Sequence, residues 1–147
     1  NILTIDADLQ NDPQDIPRLY KIFILNKSNC LVSGIRKKRM DSILKKISSF
    51  LANKIRSFYL KDNCIDTGCS LKVFPKKAFL KFDYFDGIHR FIPALFIGFG
   101  YSVYYINVNH RHRLHGKTKY GVFNRILINI KNMIYVKKIL KKKRKNI

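Results

Sequence analysis

The spacing of apolar residues in the first third of the chain predicts a strand, a helix and a second strand. The opening run ILTI predicts a buried strand, and Asp6 and Asp8 follow its carboxyl end. A helix is predicted to begin behind Asp15 as N-cap, with Pro17 in its first turn. Its apolar face consists of Ile16, Leu19, Tyr20 and Phe23. CLVSG predicts the second strand, and this order favours a parallel β-α-β unit in an α/β fold.

The rest of the chain continues the alternation. A basic loop, IRKKRMD, precedes an amphipathic helix from Ser42, and DTGCSLKVF predicts a turn that leads into a short strand. IHRFIPALFIGFG predicts a helix that ends at Gly98 or Gly100, and YSVYYINVNHR alternates as a strand does. A polar loop, HRLHGKTKYG, precedes a last helix from Val122 to Leu140. The apolar positions of the two long helices are Ile43, Ile47, Phe50, Leu51, Ile55 and Phe58, and then Phe123, Ile126, Leu127, Ile130, Met133 and Ile134.

The composition indicates one folded domain with an anionic partner. The 147 residues are 46% hydrophobic and 13% aromatic, which excludes a disordered polar tail. Thirty Lys and Arg against nine Asp and Glu give a formal charge of +21. Nucleic acid, an acidic membrane surface and a phosphorylated substrate all fit this charge, and so does a solvated basic face.

The cysteines and the lengths of the apolar runs limit the class of protein further. Cys30, Cys64 and Cys69 are an odd number without CxxC spacing, which argues against a disulfide framework or a zinc knuckle and favours a reducing cytosol. Apolar runs stay well short of the roughly 20 residues that a spanning helix needs. The chain begins at Asn1 and shows no signal peptide.

The acids behind the first strand are candidate metal ligands. Asp6 and Asp8 are one residue apart at a strand end, so both can reach one divalent cation, with Gln10 as a third oxygen ligand. Phosphate oxygens and water would complete the coordination, as in enzymes that hold a nucleotide diphosphate as a leaving group. The alternative is a pair of solvated loop acids.

Five segments together resemble a known family. DADLQNDPQDIPRL, SGIRKKRMDSILKKISSFLANKI, DTGCSLKVF, HRFIPAL and VNHRHRLHGKTKYG are similar to family 2 glycosyltransferases that act on polyprenyl phosphates, the dolichyl-phosphate mannosyltransferase-like group. The resemblance implies a GT-A, Rossmann-like fold, a Mg²⁺ or Mn²⁺ ion and a nucleotide sugar of the GDP-mannose or UDP-glucose type. It also implies inverting transfer of mannose or glucose to a polyprenyl or dolichyl phosphate, by a peripheral protein at the cytosolic face of a membrane.

The same resemblance implies a domain organisation. Residues 1–121 match the C-terminal portion of the catalytic domain, and 122–147 form an amphipathic basic helix and tail that we expect to contact an anionic membrane. An ordinary core-packing helix is the alternative. In the family a donor-binding half precedes the Asp-x-Asp strand, so we expect the chain to be truncated at its N-terminus and expect the fragment alone to lack activity.

Individual site residues are carried over from the family. Asp6, Asp8 and Gln10 match the metal and donor-diphosphate site. Asp66 matches the proposed catalytic base, although an acceptor phosphate is already ionised near neutral pH, so Asp66 can instead orient the acceptor or simply cap a turn. The cations and the hydroxyl matched to the acceptor phosphate or the diphosphate are Arg36, Lys45, Ser49, Arg90, Arg111, Lys117 and Lys119.

Other interpretations stay open at this point. His110, His112 and His115 lie close in sequence, but they lack a neighbouring Cys or carboxylate at ligand spacing, which favours phosphate binding or packing over a metal site. Two further classes of function compete with the enzyme. One is a basic nucleic-acid-binding module, although no RNP-type or helix-turn-helix signature supports it. The other is a non-catalytic remnant that binds a membrane or a partner.

Overall fold

A mixed α/β fold is built around a four-stranded sheet. A computed structural model describes residues 1–36, 43–111 and 122–145. The strands are β1 (Ile2–Thr4), β2 (Cys30–Arg36), β3 (Lys72–Phe74) and β4 (Ser102–Val108). The helices are α1 (Ile16–Leu25), α2 (Ile43–Leu60), α3 (Lys76–Phe79), α4 (Ile92–Gly98) and α5 (Val122–Lys145). Short 3-10 helices lie at Pro13–Asp15 and Ile88–Arg90.

The strand order is β1-β3-β2-β4. β3 pairs antiparallel with both β1 and β2, whereas β2 and β4 are parallel from Cys30↔Ser102 to Arg36↔Val108. The first two strands therefore run in the same direction, as the predicted β-α-β unit requires, but β3 separates them. β3 runs in the opposite direction, so its amino end lies beside the carboxyl ends of β1, β2 and β4. We call this end of the strands the sheet edge, as distinct from the lateral edge formed by β1. This edge gathers the polar residues described below.

The predicted burial of β1 is wrong. β1 is an edge strand that pairs only with β3 in the part of the chain that the structure describes, and Leu3 and Ile5 stay partly exposed. A strand at the lateral edge of a sheet has one neighbour, so its apolar residues are covered from fewer directions.

Apolar residues cover both faces of the sheet. On one face, Leu19 and Phe23 of α1 pack against Val32 and Val73. On the other face, the core contains side chains from β2, β3, α4 and α5, including Leu31, Phe74, Leu95, Phe96, Val136 and Leu140. The predicted face of α1 is confirmed at Leu19 and Phe23, whereas Tyr20 is 46% exposed. Asp15 precedes α1 as predicted, but its side chain makes no capping hydrogen bond to the helix.

The two long helices occur where the pattern predicts them, but much of their apolar surface is not buried. In α2, Phe50, Leu51 and Ile55 are exposed, and Phe58 is 87% exposed. α5 continues to Lys145, beyond the predicted end at Leu140. Its second half packs into the core through Val136 and Leu140. Three of its predicted apolar residues, Leu127, Ile130 and Ile134, are exposed, and the side chains of Phe123 and Ile126 lie outside the described residues.

Neither long helix has the character of a membrane span. Within residues 1–36, 43–111 and 122–145, no helix combines the length and the hydrophobicity needed to cross a bilayer. The predicted division of the chain into 1–121 and 122–147 stays a prediction.

The three cysteines are free, in line with the absence of a disulfide pattern in their spacing, and all three are buried. Loss of hydration raises the pKa of the thiols of Cys30, Cys64 and Cys69. A thiol held in its neutral form is a poor nucleophile, so packing is the role that the structure supports for these residues.

Candidate functional site: an arginine-lined cavity at the sheet edge

A cavity of about 550 Å³ lies between α2, α5 and the carboxyl end of β2. Its lining divides into charged and apolar residues. The charged lining residues are Arg36, Arg56, Asp66 and Arg90, and the larger apolar ones are Ile55, Phe91, Ile130 and Met133. A cavity with this division suits an amphipathic ligand that has an anionic head.

Arg36 and Asp66 form an ion pair in the wall of this cavity. Arg36 Nε donates to Asp66 Oδ2 at 2.8 Å, and Nη2 donates to Oδ1 at 2.7 Å. The backbone N–H of Arg36 also donates to Oδ2, at 3.1 Å. Asp66 therefore accepts three hydrogen bonds from one residue, and the pair fixes the plane of the Arg36 guanidinium. The sequence predicts a role for each residue separately but does not predict that they bind each other.

Gly68 makes room for this pair. A Cβ added at Gly68 would lie 2.6 Å from Arg36 Nη2, closer than two such atoms can approach. The turn that holds Asp66 is also tied to α2. Asn53 Nδ2 donates to the carbonyl of Ile65 at 2.9 Å, and Thr67 Oγ1 donates to Asn53 Oδ1 at 3.0 Å. Sequence reasoning missed Asn53, although it follows Ser49 by four residues and therefore lies on the same helix face.

Arg56 is a second residue that sequence reasoning missed. Its Nη2 donates to Asp62 Oδ2 at 2.6 Å and to the carbonyl of Arg90 at 3.2 Å. Its guanidinium carbon lies 5.3 Å from the centre of the Phe91 ring. Arg90 in turn donates from Nη1 to Asn129 Oδ1 of α5 at 2.6 Å. These contacts link α2, the 3-10 helix at Ile88–Arg90 and α5 around the cavity.

Lys72 contributes a buried amine next to the turn that carries Asp66. It is 2% exposed, and its Nζ donates to the carbonyl of Cys69. Burial lowers the pKa of Lys72, while the negative charges of Asp66 and Asp6 oppose this shift. In the sheet, Lys72 lies opposite Thr4 on one neighbouring strand and Ser33 on the other.

The predicted metal ligands lie at the same sheet edge but do not line the cavity. The backbone N–H of Asp6 donates to Ser70 Oγ at 3.0 Å, and Asp8 Oδ1 accepts from the backbone N–H of Gln10 at 3.1 Å. Between them the chain turns at Leu9, which has a φ of 62°. The donor set of two carboxylates and an amide suits a hard cation such as Mg²⁺ or Mn²⁺. In the part of the chain that the structure describes, no group of three or more His, Cys, Asp or Glu residues gathers, so the ion would need further ligands from a diphosphate and water.

Arg111 lies beside this segment. Its backbone N–H donates to the carbonyl of Gln10 at 2.8 Å, and its Nη2 lies 2.7 Å from Asp12 Oδ1. A hydrogen bond from the backbone N–H of Gln14 and the nearby Arg111 guanidinium lower the pKa of Asp12. The structure thus places the backbone of Arg111 next to Gln10 and its guanidinium on Asp12, and the predicted role of Arg111 at a phosphate or diphosphate stays a prediction.

The predicted site residues therefore fall into two groups joined by one turn. Arg36, Asp66 and Arg90 line the cavity, whereas the segment from Asp6 to Gln10 lies with Arg111. Ser70 joins the groups, because it follows the Asp66 turn and its Oγ accepts from both Asp6 N and Asn11 Nδ2. The remaining predicted positions lie outside the described residues: the side chains of Lys45 and Ser49, all of Lys117 and Lys119, and the histidines His112 and His115.

The structure defines an α/β protein with an arginine-lined cavity at the sheet edge, and sequence comparison narrows the class of protein further. The chain is 34% identical over 139 residues to the dodecaprenyl-phosphate galacturonate synthase of Rhizobium johnstonii. It is 36% identical over 131 residues to the undecaprenyl-phosphate 4-deoxy-4-formamido-L-arabinose transferase of Shewanella sediminis. A transferase of the same name from Aeromonas hydrophila is 33% identical over 129 residues. The homologues of this chain are thus polyprenyl-phosphate glycosyltransferases, which confirms the predicted resemblance at that level.

The matches extend along most of this chain but only part of each relative. They cover 91% of the chain in the first case and 88% in the other two, yet only 41% and 38% of the relatives. The chain therefore spans about two fifths of the length of these relatives. No protein-family model matches the chain, and no solved structure matches it.

Proposed function

We propose that this chain is the acceptor-binding portion of a GT-A glycosyltransferase that transfers a sugar from a nucleotide-diphosphate donor to a polyprenyl phosphate. The cavity is the observation that carries the proposal. Arg36 and Arg90 offer guanidinium groups to a phosphate, and the apolar lining residues Ile55, Phe91 and Met133 suit the first isoprene units. The homology to polyprenyl-phosphate glycosyltransferases supports the same ligand.

The proposed reaction is a single displacement. An oxygen of the acceptor phosphate forms a bond to the anomeric carbon of the sugar while the bond from that carbon to the diphosphate breaks. The nucleoside diphosphate leaves with the electron pair, and the configuration at the anomeric carbon inverts. A Mg²⁺ or Mn²⁺ ion held by Asp6, Asp8 and Gln10 would neutralise charge on the leaving diphosphate.

Asp66 acts in this proposal as a positioning residue. Its two carboxylate oxygens accept hydrogen bonds from Arg36, and a phosphate acceptor brings its own negative charge to the reaction. The carboxylate therefore serves best by orienting the Arg36 guanidinium toward the acceptor. The earlier prediction that Asp66 is the catalytic base stays a prediction.

The identity of the donor sugar and nucleotide and the location of the protein are separate parts of the proposal. The names of the relatives mention galacturonate and 4-deoxy-4-formamido-L-arabinose, so a mannose or glucose donor stays a prediction. A peripheral position at the cytosolic membrane face is supported by the exposed apolar residues of α2 and α5 and by the exposed lysines at the end of α5.

Lipid binding by this chain tests the proposal without requiring a complete enzyme. The chain would be titrated in detergent micelles with undecaprenyl phosphate, and in parallel with undecaprenol, which has the same isoprenoid chain and no phosphate. Because charge-assisted hydrogen bonds contribute about 1.5–3 kcal/mol each, we expect the phosphate to bind at least about tenfold more tightly.

Two results would contradict the proposal. One is equal affinity for undecaprenyl phosphate and undecaprenol, which would show that Arg36 and Arg90 do not bind the phosphate. The other is displacement of undecaprenyl phosphate by single-stranded DNA at matched salt, which would favour the nucleic-acid-binding alternative.

A further inference from the structure

Arg56 has hydrogen-bonding capacity that no other described residue uses. The residue is 8% exposed and lines the cavity. Its Nη2 is occupied by Asp62 and by the Arg90 carbonyl, but Nε and Nη1 are buried and donate to no partner among the described residues. Buried side-chain donors are nearly always hydrogen-bonded in native proteins, so two on one guanidinium point to a ligand.

The contrast with Arg36 shows which kind of ligand fits. Arg36 directs Nε and Nη2 at the two oxygens of Asp66, whereas Arg56 meets its aspartate through Nη2 alone. The other oxygen of Asp62 accepts the backbone N–H of Cys64 at 3.1 Å and so holds its own turn. A guanidinium has only donors, so its complement is an anion with several acceptor oxygens.

We infer that Arg56 is a phosphate-binding residue of this cavity and contacts the head of the lipid phosphate from the α2 side. The inference rests on the proposed function for the identity of the ligand. Arg56 lines the same cavity as Arg36 and Arg90 and donates to the carbonyl of Arg90, and its guanidinium is held over the Phe91 ring. A phosphate that enters between Arg36 and Arg90 would therefore meet Arg56 at the inner wall of the cavity. Nε and Nη1 are closed to solvent without a ligand, so phosphate binding would require the guanidinium to turn toward the cavity. Phosphate oxygens would then satisfy these two donors, which have no partner among the described residues.

The test compares two variants with a matched control. Arg56→Lys keeps the charge but removes the fixed array of donors. Because an uncompensated Asp62 could destabilise the fold, the double variant Arg56→Met with Asp62→Asn removes both charges together. The control, Arg18→Lys, makes the same exchange at an arginine of α1 that is exposed and outside the cavity.

We expect both Arg56 variants to bind undecaprenyl phosphate about tenfold more weakly than the parent chain, which corresponds to one charge-assisted hydrogen bond. Binding of undecaprenol should stay the same, and the control should bind both lipids like the parent. Unchanged phosphate binding in both Arg56 variants would overturn the inference. An equal loss of phosphate and alcohol binding would also overturn it, because that result indicates a structural role.

A second measurement separates this inference from the proposed function. If the parent chain itself binds the phosphate and the alcohol equally, the proposed function fails, and inorganic phosphate then decides the role of Arg56. Stabilisation of the parent by phosphate, seen as a rise in melting temperature that Arg56→Lys reduces, would support an anion site. No rise, or an equal rise in both proteins, would show that Arg56 does not bind phosphate.

Discussion

Arg36 at the end of β2 and Asp66 in the turn before β3 are 30 residues apart in sequence and joined by two side-chain hydrogen bonds of 2.7 and 2.8 Å. The Asp66 side chain is 6% exposed and that of Arg36 is 15% exposed, so the two opposite charges compensate each other largely out of contact with solvent. The pair matters for both the fold and the site. It fixes a guanidinium that lines the cavity, and it holds the turn that carries Asp66 against the end of β2.

Asp66→Asn should destabilise the protein, because it leaves the Arg36 guanidinium without its carboxylate in a largely buried position. We expect the free energy of unfolding to fall by on the order of 3 kcal/mol, measured by urea unfolding. Arg18→Gln is the control, since Arg18 is 56% exposed in its ion pair with Asp15 and should contribute about 1 kcal/mol or less. Equal losses in the two variants would show that burial does not strengthen the dependence on the Arg36–Asp66 pair.

Gly68→Ala should weaken phosphate binding more than it weakens the fold. The added Cβ would lie 2.6 Å from Arg36 Nη2, so the guanidinium must move away from its position in the cavity wall. Gly34→Ala provides a contrast, because its Cβ would meet Cys69 Sγ at 2.9 Å and Val108 at 3.0 Å inside the core. We expect Gly68→Ala to reduce affinity for undecaprenyl phosphate and Gly34→Ala to reduce mainly the urea midpoint. The opposite assignment of effects would show that Gly68 is only a folding requirement.

The sequence could predict elements that depend on local pattern but not the pairs formed between distant segments. The periodicity of apolar residues predicts the strands and the long helices. The place of Asp6 and Asp8 directly behind a strand predicts that they lie at the sheet edge. The insertion of β3 between β1 and β2 depends on long-range pairing of a three-residue strand, which periodicity does not encode. The pairing of Arg56 with Asp62 was missed for a similar reason, since an arginine among polar helix positions resembles a solvated one.

The apolar stripe of α2 shows a different limit. The sequence correctly predicts an amphipathic helix there, but periodicity cannot tell what covers its apolar face. In the structure Phe58 and Leu51 are exposed rather than packed in the core.

Asp8→Asn should reduce the affinity for Mn²⁺ in the presence of a nucleoside diphosphate, because a hard cation loses one of two charged ligands. Electron paramagnetic resonance of free Mn²⁺ would measure this affinity directly on the chain. Asp83→Asn is the control, since Asp83 is an acid outside the predicted metal ligands. If Asp8→Asn and the parent bind Mn²⁺ equally, the assignment of Asp6, Asp8 and Gln10 as metal ligands is wrong.

His89→Gln should make stability less dependent on pH in mildly acidic solution. Although His89 is exposed, partial loss of hydration beside its neighbours lowers its pKa first of all, and the charges of Arg90 and Lys72 lower it further, against the opposing effect of Asp6 and Asp86. The unfolded chain therefore takes up a proton near the ordinary histidine value of about 6.5, before the folded chain does. As the pH falls below that value, the free energy of unfolding should decrease in the parent and decrease less in His89→Gln. Parallel pH profiles from urea unfolding would contradict this assignment.

Binding to anionic vesicles should depend on the exposed lysines at the end of α5. Truncating α5 would be a poor test, because Val136 and Leu140 belong to the core. Lys137 is also unsuitable, since it lies 4.8 Å from the Tyr59 ring and donates to the Tyr59 carbonyl. The suitable positions are the exposed Lys138, Lys141 and Lys142, replaced together by glutamine.

Each lysine near an acidic surface contributes about 1 kcal/mol, so the triple variant should bind phosphatidylserine vesicles far more weakly in cosedimentation. The parent's binding should also fall as salt rises, because the screening length is only about 10 Å at 0.1 M salt. Phe58→Ser tests the apolar contribution separately, since Phe58 is 87% exposed on α2 and its loss should weaken binding at every salt concentration. If the triple variant binds acidic vesicles as well as the parent does, these lysines are not the membrane contact, and the basic end of α5 is a solvated surface.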